Sequence, residues 1–134
     1  MAQENVEIVR QAVEAFNRRD FDGMFASVAR PDFEYTASGL IPGEQGVYRG
    51  IREFSRLSER VFGEFDDLHA EIDDLIDAGD RVLLGLTTRG RGRKSGAETS
   101  WRYYQVWTIR DGRVLRGQGF LDRDEALQAA GLRE

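Results

Sequence analysis

The chain has 134 residues, of which 40% are hydrophobic and 32% are charged, a composition typical of one soluble globular domain over residues 1–134. Because cysteine is absent, disulfides, thiolate nucleophiles and cysteine zinc sites are excluded, and a net charge of −5 argues against a nucleic-acid partner. No signal peptide and no apolar run of membrane-spanning length is visible, so we expect a cytoplasmic protein without a membrane partner.

The first half of the chain has mainly helical periodicity. Val6, Val9, Val13 and Phe16 share one helical stripe, which predicts an N-terminal helix. We expect Asp20 to cap a short second helix that buries apolar residues between 21 and 28. A strand over 33–36, a glycine-rich loop over 37–50 that would cover a cavity mouth, and a third helix over 51–61 follow.

The second half has the alternating pattern of β-strands without an intervening helix. The expected strands cover residues 68–76, 81–89, 97–110 and 113–122, and a short helix over 123–130 ends at Gly131. Helices followed by an antiparallel meander predict an α+β fold. In this fold a cone-shaped, curved antiparallel sheet wraps around the N-terminal helices.

The last two strands predict a site. Asp111-Gly112 between them indicates a two-residue type I′ turn that pairs Arg110 with Arg113. Regular pairing then sets Trp107 opposite Arg116, Gln105 opposite Gln118, Tyr103 opposite Phe120 and Trp101 opposite Asp122, all on one face. Aromatic rings mixed with amides and a carboxylate suit the wall of a small-molecule cavity. The expected ligand-binding residues are Tyr35, Trp101, Trp107, Arg116, Gln118 and Phe120.

Three residues of this face are assigned catalytic roles: Asp122, Tyr103 and Gln105. Next to an indole, the carboxyl of Asp122 would have a raised pKa and could transfer a proton near neutral pH, or it could instead cap the last helix. Tyr103 or Gln105 would stabilise an enolate, or alternatively be satisfied core groups. Arg116 would stack on Trp107 or offset an anionic ligand.

Other site chemistries lack the residues that they need. His69 is the only histidine, and alternation places it on the solvent face of its strand. Residues 64–80 hold eight acidic residues and residues 81–116 nine basic ones, which predicts paired solvent faces of neighbouring strands rather than a metal site. Residues 116–123 partly match an RNA-recognition signature but lack two of its stacking aromatics. We therefore expect neither a metal nor a cofactor.

Several local strings, in this order, resemble the SnoaL-like branch of the nuclear transport factor 2-like superfamily over nearly the whole chain. They are AFNRRDF at 15–21, GVYRG at 46–50, DAGDRV at 77–82, RDGRV at 110–114 and DRDEAL at 122–127. The resemblance implies the cone fold and a kinship with ketosteroid isomerase and polyketide cyclases. Because the family also includes non-enzymatic members, it does not decide the function.

The resemblance can be followed at single positions. The base of ketosteroid isomerase falls on Tyr35 or Thr36, and its donors fall on Ala12 and near Gln105, so a steroid-isomerase mechanism is poorly supported. The acidic residue of the cyclases falls on Asp122. The leading hypothesis is a cofactor-independent isomerase, cyclase or dehydratase acting on a hydrophobic carbonyl compound.

Two alternatives stay open: a non-catalytic ligand-binding module, and a dimerising accessory domain with a filled core and no cavity above about 300 Å³. Sheet-to-sheet homodimers are common in the family. The resemblance therefore implies a homodimer through the outer sheet face, the side of Tyr104, Val106, Thr108 and Leu115. Gly117 and Gly119 are expected on the same face, where they would leave room for the second copy.

Overall fold

Three helices and six strands make up the computed structural model, which describes residues 2–38 and 45–132. In chain order they are α1 (Ala2–Asn17), β1 (Ala29–Ser38), β2 (Gln45–Arg49), α2 (Ile51–Gly63), β3 (Phe65–Ala78), β4 (Arg81–Gly92), β5 (Glu98–Arg110), β6 (Arg113–Phe120) and α3 (Arg123–Ala129).

The strands form one curved, unclosed sheet in the order β2-β1-β6-β5-β4-β3. All neighbours are antiparallel except β1 and β6, which run parallel, with Tyr35 opposite Gly117. The predicted α+β class with a curved, mostly antiparallel sheet is confirmed. The parallel pair places the first strand of the chain beside the last, so β1 and β6 together form one wall of the cone.

Helices α1 and α2 pack on the concave side of the sheet. Val9 and Ala12 of α1, together with Phe54 and Leu57 of α2, belong to the same buried cluster as the inner side chains of the sheet. The side chain of Asn17 fixes the end of α1 to the edge strand β3. Its amide donates to the Ala70 carbonyl and accepts from the Ala70 amide, both at 2.9 Å.

Helix α3 covers the convex side of the sheet. Its Ala126, Leu127 and Ala130 pack against Leu83, Tyr104 and Val106. The residues that we expected to meet a second copy, Tyr104, Val106 and Thr108, are therefore buried within a single chain. The homodimer stays a prediction, but this part of its expected interface is already occupied.

Two elements of the first half differ from expectation. The predicted second helix is wrong: residues 21–28 form successive turns, Phe25 has a φ of 49°, and the Asp20 carboxylate accepts from the Gly23 amide at 3.1 Å. Turns bury Met24 and Phe25 as a helix would, so apolar spacing does not distinguish the two. The expected loop over 37–50 is partly strand, since β2 pairs with β1, and residues 39–44 lie outside the described residues.

The charged outer surface is as predicted. Acidic side chains of β3 pair with basic ones of β4, β5 and α3, as in Glu71–Arg89 at 2.9 Å and Asp74–Arg123 at 2.8 Å. His69 is exposed, and the described residues contain no cluster able to hold a metal ion. None of the helices described here is both long and apolar enough to cross a membrane.

Candidate functional site

A bulge in the β5–β6 hairpin determines which residues face the cone. Asp111 and Gly112 both have positive φ, 52° and 74°, and Arg110 pairs with Arg113, as the type I′ turn predicts. The register then shifts by one residue between Thr108 and Ile109. Leu115 is the extra residue of β6, so Trp107 lies opposite Gly117 and Gln105 opposite Gly119.

This shift makes the predicted common surface wrong for Arg116, Gln118 and Phe120 of β6. Gln118 lies opposite Val106 and Phe120 opposite Tyr104, both on the convex side, where Phe120 packs against the cluster under α3. Arg116 lies opposite Thr108 on the same side and is exposed. Gly117 and Gly119, which we expected on the convex side, face the concave side instead.

Asp122 lies beyond the end of β6 and does not face Trp101, whose strand neighbour is Thr88 of β4. Its side chain is exposed and accepts from the Asp124 amide at 3.3 Å, as the N-cap of α3. The capping role that the sequence left open is therefore observed. The geometry that would have placed a proton-transferring carboxyl against an indole is absent.

The other predicted site residues share one cavity on the concave side: Tyr35, Trp101, Tyr103, Gln105 and Trp107. The cavity has a volume of about 100 Å³. The rest of its lining consists of apolar side chains from α1, the turns over 21–28, β1, α2, β3 and β4, together with the hydroxyls of Ser58 and Thr88. Sequence reasoning missed Thr88, although strand alternation with Leu84 and Leu86 would have placed it on this face.

Aromatic rings fix the indole of Trp107 in the wall. Its ring centroid lies 4.6 Å from Phe25, 5.5 Å from Phe54 and 5.6 Å from Tyr35. Trp107 is 2% exposed, so the indole is a packed part of the wall. Such packing holds the polar edge of the ring in one orientation.

That polar edge begins a short hydrogen-bond chain. Trp107 Nε1 donates to Gln105 Oε1 at 3.2 Å, and Gln105 Nε2 donates to the Tyr35 hydroxyl at 3.1 Å. The partners of the Gln105 amide are therefore Trp107 and Tyr35, not Gln118. Because Tyr35 accepts this bond, its own hydroxyl hydrogen points elsewhere.

The two phenols of the cavity stay protonated at neutral pH. Burial raises the pKa of Tyr35 well above its usual value, and the nearby Tyr103 adds to the rise while the hydrogen bond from Gln105 opposes it. Burial also raises the pKa of Tyr103 to about 12, with the hydroxyl of Thr88 opposing the rise. Both phenols therefore act as neutral hydrogen-bonding groups.

Two further polar atoms lie buried without a hydrogen-bond partner in the part of the chain that the structure describes. They are Thr88 Oγ1 and Trp101 Nε1, on paired residues of β4 and β5 that both line the cavity. The Thr88 hydroxyl is near Tyr103, but the two form no hydrogen bond of normal geometry. An unpaired buried N–H or O–H costs free energy, so these atoms need an explanation.

Comparison with known proteins agrees with the fold. The model of the SnoaL-like domain family matches residues 9–117. The chain belongs to the SnoaL-like domain family. No curated protein matches it.

Solved structures similar to this SnoaL-like domain cover nearly its whole length. An NTF2-like protein from Burkholderia thailandensis is 30% identical, with a TM-score of 0.76, over 95% of each chain. An NTF2-like protein of unknown function from Burkholderia pseudomallei is 27% identical, with a TM-score of 0.76, over 93% of this chain and 95% of the other. A protein from Jannaschia that is assigned to the SnoaL-like polyketide cyclases is 18% identical, with a TM-score of 0.75, over 98% of this chain and 94% of the other. At that identity the likeness shows the fold alone.

The cavity of this SnoaL-like domain has an uncharged lining. Among the described residues that form it, none is aspartate, glutamate, histidine, lysine or arginine. The described lining therefore offers hydrogen bonds and apolar contacts, and its only titratable groups are two phenols.

Proposed function

We propose that this SnoaL-like domain binds a small, neutral, mainly apolar molecule that carries a hydrogen-bond acceptor. The observation that carries the proposal is the uncharged lining of a cavity that holds neutral donors. A charged ligand would lose its hydration without finding a counter-charge there, which is costly. An apolar ligand with one oxygen acceptor gains both burial and a hydrogen bond.

The volume limits the ligand's size. Ligand pockets usually measure about 300 Å³ or more, and an apolar cavity of about 150 Å³ holds benzene. A cavity of about 100 Å³ therefore limits the ligand to about six non-hydrogen atoms, as in benzene or cyclopentanone. This small volume is also what the filled-core alternative expects. Against that alternative stand Thr88 Oγ1 and Trp101 Nε1, which lack partners among the described residues and which a filled core has no reason to bury.

Catalysis at the same site is a second candidate, and the hydrogen-bond chain favours it. Gln105 donates to the Tyr35 hydroxyl, which makes the phenol a stronger donor. Tyr35, with Tyr103 nearby, could then stabilise an oxyanion formed from a bound carbonyl compound. The described lining supplies no carboxylate base. This role therefore needs a substrate that carries its own basic group, which accepts the proton.

A cavity-filling variant tests the binding proposal. Ala12 of α1 lines the cavity, whereas the adjacent Gln11 is exposed. We expect Ala12→Leu to abolish binding of small ketones and lactones, measured as the ligand-induced rise in melting temperature, while Gln11→Leu retains it. If Ala12→Leu binds them as well as the unmodified chain does, the ligand is not in the cone and the proposal fails.

A further inference from the structure

We propose that Thr88 and Trp101 form an acceptor-binding subsite that selects ligands by a neutral carbonyl oxygen. The inference rests on the proposed function and names the part of the cavity that gives it chemical selectivity. Its basis is a pair of buried polar atoms that have no hydrogen-bond partner of normal geometry among the described residues, Thr88 Oγ1 and Trp101 Nε1.

The two atoms belong to one place in the sheet. Thr88 and Trp101 are opposite each other in the β4–β5 ladder, and both face the concave side as lining residues of the cavity. Cross-strand neighbours have Cβ atoms about 5 Å apart, so their side chains can reach the same ligand atom. Thr88 is 1% exposed, which leaves its hydroxyl no access to bulk water.

The chemistry of the two groups dictates the ligand atom. An indole N–H is a donor only, so whatever pairs with it must be an acceptor. A threonine hydroxyl can donate to the second lone pair of the same acceptor. A carbonyl oxygen has two lone pairs and therefore fits two converging donors.

The other indole shows that the arrangement is specific to Trp101. Trp107, six residues further along the inner face of β5, has its Nε1 paired with Gln105 at 3.2 Å. One indole of the wall is thus paired with a protein group, whereas the other has no partner among the described residues and can donate to a ligand. The nearby Tyr103 hydroxyl is placed to add a third contact to a bound oxygen.

Matched probes can separate the subsite from the cavity. Cyclopentanone and methylenecyclopentane have the same shape, but only cyclopentanone carries an acceptor. Because Thr88→Val keeps the shape of the side chain and removes the hydroxyl, we expect it to lower the ratio of ketone affinity to hydrocarbon affinity about fivefold. Trp101→Phe should lower the same ratio. The control is Thr108→Val, the same substitution on the convex side of the sheet, which should leave the ratio unchanged.

The two tryptophans allow a direct readout, since the chain gives only two indole N–H signals in a ¹H–¹⁵N correlation spectrum. Trp101→Phe assigns them. Cyclopentanone should move the Trp101 signal downfield, as a new hydrogen bond does, and methylenecyclopentane should not. Equal shifts with both probes, or a ratio that neither variant changes, would overturn the subsite while the cavity stays a binding site. If neither probe binds, the proposed function itself fails.

A stability measurement tests the subsite without any ligand. If the Thr88 hydroxyl is unpaired in the free protein, Thr88→Val removes an unsatisfied group and should not lower the urea midpoint. A midpoint that falls clearly in Thr88→Val would show that the hydroxyl already has a partner, and the subsite would be ruled out.

Discussion

The indole of Trp107 covers Gly117 across the β5–β6 ladder, so closely that a Cβ at residue 117 would lie within 3.0 Å of three ring atoms. No side chain other than hydrogen fits beneath the ring. The contact exists because the bulge at Leu115 turns Gly117 to the inner face. It allows the wall of the cavity to hold a large aromatic ring close to the sheet.

Gly117→Ala should therefore destabilise the fold by about 1–3 kcal/mol, since the added methyl group forces the packed indole to move. Urea denaturation measures the loss, and near-ultraviolet circular dichroism reports the displaced indole. Gly63→Ala is the control, because nothing lies within 4 Å of a Cβ at that position. Equal midpoints for the two variants would contradict the contact.

The Gln105 amide links Trp107 to Tyr35, so Gln105→Leu leaves an indole N–H and a phenol with fewer partners. We expect a loss of about 2–6 kcal/mol in the free energy of unfolding, from about 1–3 kcal/mol for each of the two buried groups. Gln118→Leu, on the convex side of the next strand, should change it by less than about 0.5 kcal/mol. Similar losses for the two glutamines would favour the regular register over the bulge.

The outlines of the fold could be predicted from sequence, and the site only in part. The Asp111-Gly112 turn, the strand alternation and the helical stripe of α1 are local signals, and each agrees with the structure. Leu115 is a single extra residue in β6, and the alternating pattern is the same with or without it. The pattern therefore does not decide which residues of β6 face the cone. The shifted register is accompanied by the packing of Trp107 on Gly117, a contact between residues on two strands.

The register shift of β6 also explains why Asp122 does not lie in the cavity. Because the register of β6 is shifted by one residue, the last residue of the strand faces the convex side. Asp122 follows the strand as the N-cap of α3. The lack of a described partner for Trp101 Nε1 could not be predicted from the sequence either, because it depends on the positions of all the neighbouring side chains. Pairing of Gln105 with Tyr35 also needed the contact between β5 and β1, which are distant in sequence.

Asp122 should affect stability through the helix cap and not through the cavity. Asp122→Ala removes the N-cap and should lower the free energy of unfolding by about 0.5–2 kcal/mol, whereas Asp122→Asn, an equally good cap, should change it little. Both variants should bind cyclopentanone with the affinity of the unmodified chain. A loss of binding or turnover in Asp122→Asn would restore the catalytic assignment.

The raised pKa values of Tyr35 and Tyr103 predict a loss of stability at high pH. Unfolded tyrosines ionise near pH 10, so above that pH the folded state holds more protons and its stability falls, by at most about 1.4 kcal/mol per pH unit for each phenol. The contribution of Tyr103 is complete below pH 10 and is lost as the pH rises through about 12. Urea midpoints between pH 8 and 11.5 should therefore decline less steeply in Tyr103→Phe. An identical slope in that variant would contradict the burial of this phenol.

The central claim, that the cone holds a neutral ligand by its acceptor oxygen, is tested most directly by a crystal structure of the protein with cyclopentanone. We expect ligand density among Tyr103, Thr88 and Trp101, with the oxygen within hydrogen-bond distance of Trp101 Nε1. Density only in the open groove beside His69 and Arg89, with the cone interior closed by its own side chains, would contradict it.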